Sequence, residues 1–112
     1  MRGEQWLRKP AEYAAVYRGG RVRVNSLVVM NILPNGINWS RYGFSVSRRV
    51  GGAVVRNRLK RLLREILSRI PLEGGWDIVL VVRPKAANVK YASLEESVNR
   101  LLSEANLLKR VG

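Results

Sequence analysis

The sequence predicts an α+β fold with helices packed on a small sheet. Three observations carry the prediction. Two segments, one starting near Ala53 and one near Ser93, place apolar residues at three- and four-residue steps, as amphipathic helices do. Two others, Tyr42 to Ser47 and Ile78 to Val82, show the alternating and the continuous apolar patterns of strands. The order along the chain is helix, strands, helix, strand, helix, which suits a single domain at 112 residues.

Taken in turn, Pro10 suits the first turn of a helix that runs to about Arg18 and stops at Gly19-Gly20. Its Tyr13 and Tyr17, four apart, share one face. Residues 21–33 are expected to be extended, with Asn25-Ser26 allowing a break or a bulge and Pro34-Asn35-Gly36 signalling a turn. Tyr42, Phe44 and Val46 then lie on one strand face, and Gly43, Ser45 and Ser47 on the other. Gly51-Gly52 interrupts the chain before a helix from about Ala53 to Ile70, which Pro71 ends. The β-branched and leucine run Ile78 to Val82 fits a strand buried on both faces. Ser93-Leu94-Glu95-Glu96 matches a capping box. It opens a helix carrying Leu94, Val98, Leu101, Leu102, Ala105 and Leu108.

The charge narrows the function. The chain carries a net charge of +13, and from Tyr13 to Arg64 there is no Asp or Glu among eleven Arg and Lys residues. Ordinary surfaces intersperse both signs, so this one calls for a polyanion, and a strand of phosphates fits. Cysteine and histidine are absent. That removes disulfides, thiolate metal sites and the commonest general acid–base. The opening Met-Arg-Gly-Glu-Gln-Trp lacks a signal-peptide core and no apolar run reaches transmembrane length, so a soluble, cytoplasmic protein without membrane contact is expected.

The helix beginning near Ala53 concentrates the charge. Val55, Leu59, Leu62, Leu63, Ile66 and Ile70 form its core stripe. At about 100° per residue, Asn57, Lys60, Arg61 and Arg64 fall on the opposite face, flanked by Arg56 and Arg58. Glu65 is the one carboxylate beside them. Such an array repels itself unless an anion sits on it. Arg48 and Arg49 extend the basic surface toward the helix N-terminus, where free N–H groups and the dipole favour phosphate. Asn57 can both donate and accept, and so could recognise a sugar, a base edge or a hydrated metal.

The run from Ser45 to Arg64, Ser-Val-Ser-Arg-Arg-Val-Gly-Gly-Ala-Val-Val-Arg-Asn-Arg-Leu-Lys-Arg-Leu-Leu-Arg, resembles the signature of the bacterial ribonuclease P protein subunit. The likeness extends over the whole chain, through the amino-terminal helix with its paired aromatics, the stretch Asp77 to Lys85 and the final leucine-rich helix. The resemblance implies an α-β-β-β-α-β-α sandwich with a left-handed βαβ crossover, a class shared with a ribosomal protein domain. It implies one RNA-binding domain over residues 1–112. It implies an endonuclease holoenzyme that removes the 5′ leader of precursor tRNA, in which a large RNA performs the hydrolysis with Mg²⁺ that the RNA mainly holds. This chain would then be an accessory subunit with no catalytic and no metal-binding residue, and no protein partner would be required. Arg48, Arg49, Arg56, Asn57, Arg58 and Arg61 would face the catalytic RNA. Tyr13, Tyr17, Lys60 and Arg64 would line the cleft for the single-stranded leader, rings stacking on bases and cations following phosphates. The chain departs from the family pattern in having Tyr where Phe is frequent in the cleft, Trp6 and few charges in the amino-terminal arm, and Gly52 where a polar residue is common.

Other functions fit less well. Another RNA-binding protein of the same sandwich class would share the charge but not the ordered run around Arg56. A DNA-binding helix-turn-helix needs two helices around a short turn, and here Gly51-Gly52 separates a strand from a helix. A protein-only nuclease lacks its carboxylate cluster. On helical spacing alone Tyr13 and Tyr17 would be core residues, and by alternation Tyr42 and Phe44 are core rather than RNA contacts. Trp76 is expected to pack at a strand's start, and Trp6 and Trp39 have no assigned role. Arg83 and Lys85, around Pro84, are either a minor phosphate contact or solvated.

Overall fold

A computed structural model describes residues 5–108. Residues 1–4, which open the stretch without a signal-peptide core, and residues 109–112 lie outside them. The elements are α1 (Pro10–Gly19), β1 (Arg21–Val24), β2 (Val28–Pro34), β3 (Arg41–Ser45), α2 (Ala53–Arg69), β4 (Trp76–Val82) and α3 (Tyr91–Glu104), with a 3₁₀ turn at Pro84–Ala86. The expected α+β order is therefore present.

Four strands form one mixed sheet in the order β1-β2-β4-β3. β4 is central, antiparallel to β2 and parallel to β3. The parallel pair β3–β4 is joined through α2, because parallel neighbours need a crossover rather than a hairpin. Even-numbered β4 residues Ile78, Leu80 and Val82 enter a core with Leu59, Leu63, Ile66 and Leu67 of α2 and Leu94, Val98, Leu101 and Leu102 of α3. Val79 enters a smaller one with Leu7 and Val16, against which Tyr13 and Val81 pack. Burial on both faces thus explains the uninterrupted apolar run. β1 is an edge strand, exposed at all four positions. Asn25-Ser26 is a break rather than a bulge. Asn25 Oδ1 accepts from the Leu27 and Val28 N–H groups, and its Nδ2 donates to the Ser97 carbonyl, so the β1–β2 turn is tied to α3.

Two expectations need correction. α3 begins at Tyr91, not at Ser93: the Leu94 N–H already bonds the Lys90 carbonyl, which leaves Ser93 inside the first turn, where it cannot cap. The helix also ends before Leu108. Asn106 adopts φ 60°, its N–H bonds the Ser103 carbonyl, and the Leu107 N–H bonds that of Leu102. This is a Schellman ending with Asn in the left-handed position. Leu108 instead bridges Leu72. Trp76 opens β4 and packs against the main core, as expected. Arg83 is tied down, its Nη1 donating to the Asn25 carbonyl at 2.8 Å.

Candidate nucleic-acid interface

α2 separates its two faces strongly. Leu59, Leu63, Ile66 and Leu67 are buried, with Val55, Leu62 and Ile70 packed beside them. Leu67 belongs to this stripe although the sequence reading omitted it; its spacing of four from Leu63 was the available signal. Asn57, Arg61 and Arg64 are exposed on the other side, and Lys60 is half-buried. Arg48 and Arg49 are exposed in the turn before the helix, which buried Val50 anchors. Gly52 caps the helix with no side-chain acceptor, so the first turn offers its N–H groups outward. Arg56 is half-buried with its Nε enclosed and lacking a hydrogen-bond partner. Arg58 is partly engaged, since its Nη2 donates to the Val89 carbonyl ahead of α3.

A cleft opens at the outer edge of β3, where α1 reaches from one sheet face and α2 from the other. It has a volume of about 240 Å³ and is lined by Trp6, Leu7, Tyr13, Tyr42, Gly43, Phe44, Lys60 and Arg64. Tyr13, Lys60 and Arg64, from two helices far apart in sequence, therefore meet in one space. Tyr17 lines no part of it and stands a turn further along α1, 46% exposed. The Tyr13 hydroxyl donates to the Leu7 carbonyl at 3.4 Å, and burial raises its pKa, so the phenol stays protonated at neutral pH. Gly43 makes room for that ring: a Cβ there would sit about 2.5 Å from the Tyr13 hydroxyl oxygen. Sequence reasoning missed Trp6 and the exposed margin of Phe44. Trp6 meets Tyr42 and Phe44 edge-on, with centroids at 5.5 and 5.3 Å. The arm brings it there by pairing along β3, the Leu7 N–H bonding the Tyr42 carbonyl at 2.7 Å. Nothing in local sequence announces that pairing.

A charge network fixes the wall formed by α1 and the arm. Arg41 binds Asp77 through Nε at 2.8 Å and Nη2 at 2.7 Å, and binds Glu12 through Nη1 at 2.8 Å. The other Glu12 oxygen accepts the backbone N–H groups of Arg8 and Lys9. Those two bonds, with Arg41 assisting, hold the Glu12 carboxyl below its usual pKa. Asp77 in turn raises that of Arg41. Glu12 and Asp77 are thus both engaged by Arg41. Among the described residues no group of three or more His, Cys, Asp or Glu side chains could hold a metal ion. No helix among them is long and apolar enough to cross a membrane.

The fold and site define a basic α+β protein with an aromatic-lined, cation-rimmed cleft beside a helix whose outer face is cationic. The family profile described as Ribonuclease P matches residues 1–106. The ribonuclease P protein component of Dehalococcoides mccartyi (strain CBDB1) is 46% identical over 110 residues, 98% of this chain and 92% of that one. The Staphylococcus aureus RNase P protein structure superposes with a TM-score of 0.83 at 28% identity, covering 94% of this chain and 98% of that one. The Thermotoga maritima RNase P protein gives 0.79 at 33% identity, covering 88% and 94%. The chain belongs to the bacterial ribonuclease P protein component family and is a subunit of the ribonuclease P holoenzyme, a tRNA-processing ribonucleoprotein.

Proposed function

We propose that this chain, one RNA-binding domain, binds the catalytic RNA of ribonuclease P through the amino-terminal half of α2 and the turn before it. In this reading it also holds the 5′ leader of precursor tRNA in the β3-edge cleft, promoting endonucleolytic 5′ maturation in the cytoplasm. Arg48, Arg49, Arg56, Asn57 and Arg61 meet the RNA subunit's backbone, and Arg58 does so while keeping its hold on Val89. Tyr13 offers a ring to a leader base, Tyr17 continues the same helix face, and Lys60 and Arg64 follow the phosphates. The observation that carries this reading is the meeting of Tyr13, Lys60 and Arg64 in one open cleft. Flat rings plus cations bind single strands with little sequence preference, as a processor of many precursors requires. The chain contributes electrostatics and position; hydrolysis and its Mg²⁺ belong to the RNA.

Reconstituted holoenzyme tests this with precursor and mature tRNA. Tyr13→Ala, shown to be folded by circular dichroism, is expected to weaken precursor binding by about 1–3 kcal/mol. Mature tRNA, lacking a leader, should bind as before. Equal losses for both ligands would mean that the leader lies elsewhere. Robust site-specific cleavage by RNA-free protein would overturn the accessory role.

A further inference from the structure

A second groove adjoins the cleft, and Trp6 lines both. It has a volume of about 530 Å³, with Arg8, Lys9, Glu12, Trp39 and Arg41 around it. Trp39 is 42% exposed and lines the groove. Its backbone is held rigidly: Asn35 Nδ2 donates to the Trp39 carbonyl at 3.1 Å and to Asp77 Oδ1 at 3.0 Å. Asp77 is the same carboxylate that clamps Arg41, so Trp39 and Arg41 belong to one braced unit. Glu12 does not make the groove anionic, because Arg41 and two backbone N–H groups already occupy its oxygens. Arg8 and Lys9 stand exposed at the rim. The groove thus repeats the chemistry of the cleft, aromatic surface beside cations.

We propose that this groove is a second station for single-stranded RNA, taking leader nucleotides that run beyond the cleft. A base stacks on Trp39 and the backbone passes Arg8 and Lys9, with Trp6 at the junction of the two spaces. The proposal rests on the cleft being the leader site.

Holoenzyme binding to precursor tRNAs whose leaders are lengthened stepwise tests it. The parent should gain affinity first as the cleft fills and again as the leader reaches the groove. Trp39→Ala should remove the second gain, roughly tenfold for one stacked base, and leave short-leader affinity intact. Lys9→Gln should flatten the salt dependence by about 0.7 in log–log slope, for long leaders only. An undiminished second gain in both folded variants, or no second gain in the parent, overturns the station while leaving the cleft reading in place. No leader-dependent affinity at any length in the parent overturns both.

Discussion

Single residues set the shape of the site. Gly43 is required by the approach of Tyr13, not by its own backbone. Gly43→Ala is expected to push the ring aside, costing about 1–3 kcal/mol of stability as overpacking does. It should also reduce precursor affinity while sparing mature tRNA. Denaturant titration and paired binding assays check the two effects. Glu12 is the second control point, because its carboxylate ties the arm and α1 to Arg41. Its pKa is lowered in the folded state from an ordinary value of 4.5, so its contribution is complete above that value. That contribution is lost as pH falls through the lowered one. The stability gap between the parent and Glu12→Gln should therefore be widest near neutrality and close in acid. A gap that stays constant with pH would remove the charge from the explanation. Arg41 shows where sequence stops being informative: it begins a strand like any other basic residue, and its partners lie 29 and 36 positions away.

At the level of elements, boundaries reflect whether the deciding contact is local. α2 was legible because Gly51-Gly52, the apolar stripe and Pro71 all lie within or beside it, and it spans Ala53–Arg69. α3 was legible as a helix but not in its ends. The motif Ser93-Leu94-Glu95-Glu96 is a valid capping pattern. The helix starts earlier because the chain leaves the Pro84–Ala86 turn with Ala86 already buried and turns at Lys90. At the other end, Asn106 supplies the left-handed residue that lets Leu107 fold back into the core. Asn106→Gly should leave stability nearly unchanged. Asn106→Val should cost about 1–2 kcal/mol, since a β-branched residue resists that conformation. Thermal melts of the two variants distinguish this ending from an ordinary frayed one. The cleft was half legible: periodicity placed Lys60 and Arg64 on one ridge and Tyr13 on one helix face. The arm's pairing along β3, which adds Trp6, depends on tertiary docking alone.

For the whole molecule the dominant quantity is charge. At +13 on 112 residues the free protein stores self-repulsion that a polyanion relieves. Its melting temperature should rise on adding inorganic polyphosphate, more than with chloride at equal ionic strength. A response that ionic strength alone explains would mean general screening rather than a phosphate-binding surface. The same charge has a bearing on β1, the strand whose outer edge carries no neighbour among the described residues. A second copy docking antiparallel there, in the register centred on Val22, would set Arg21 against the copy's Arg23 and Arg23 against its Arg21, and like charges facing across strands oppose pairing. The guard is electrostatic, with Val22 and Val24 exposed next to the arginines in sequence. It therefore holds only while the arginines stay uncompensated. Short RNA fragments left over from purification would neutralise them and leave a valine-bearing edge ready to join another. Clearing nucleic acid from this protein is then a requirement for keeping it monodisperse as much as for measuring its activity.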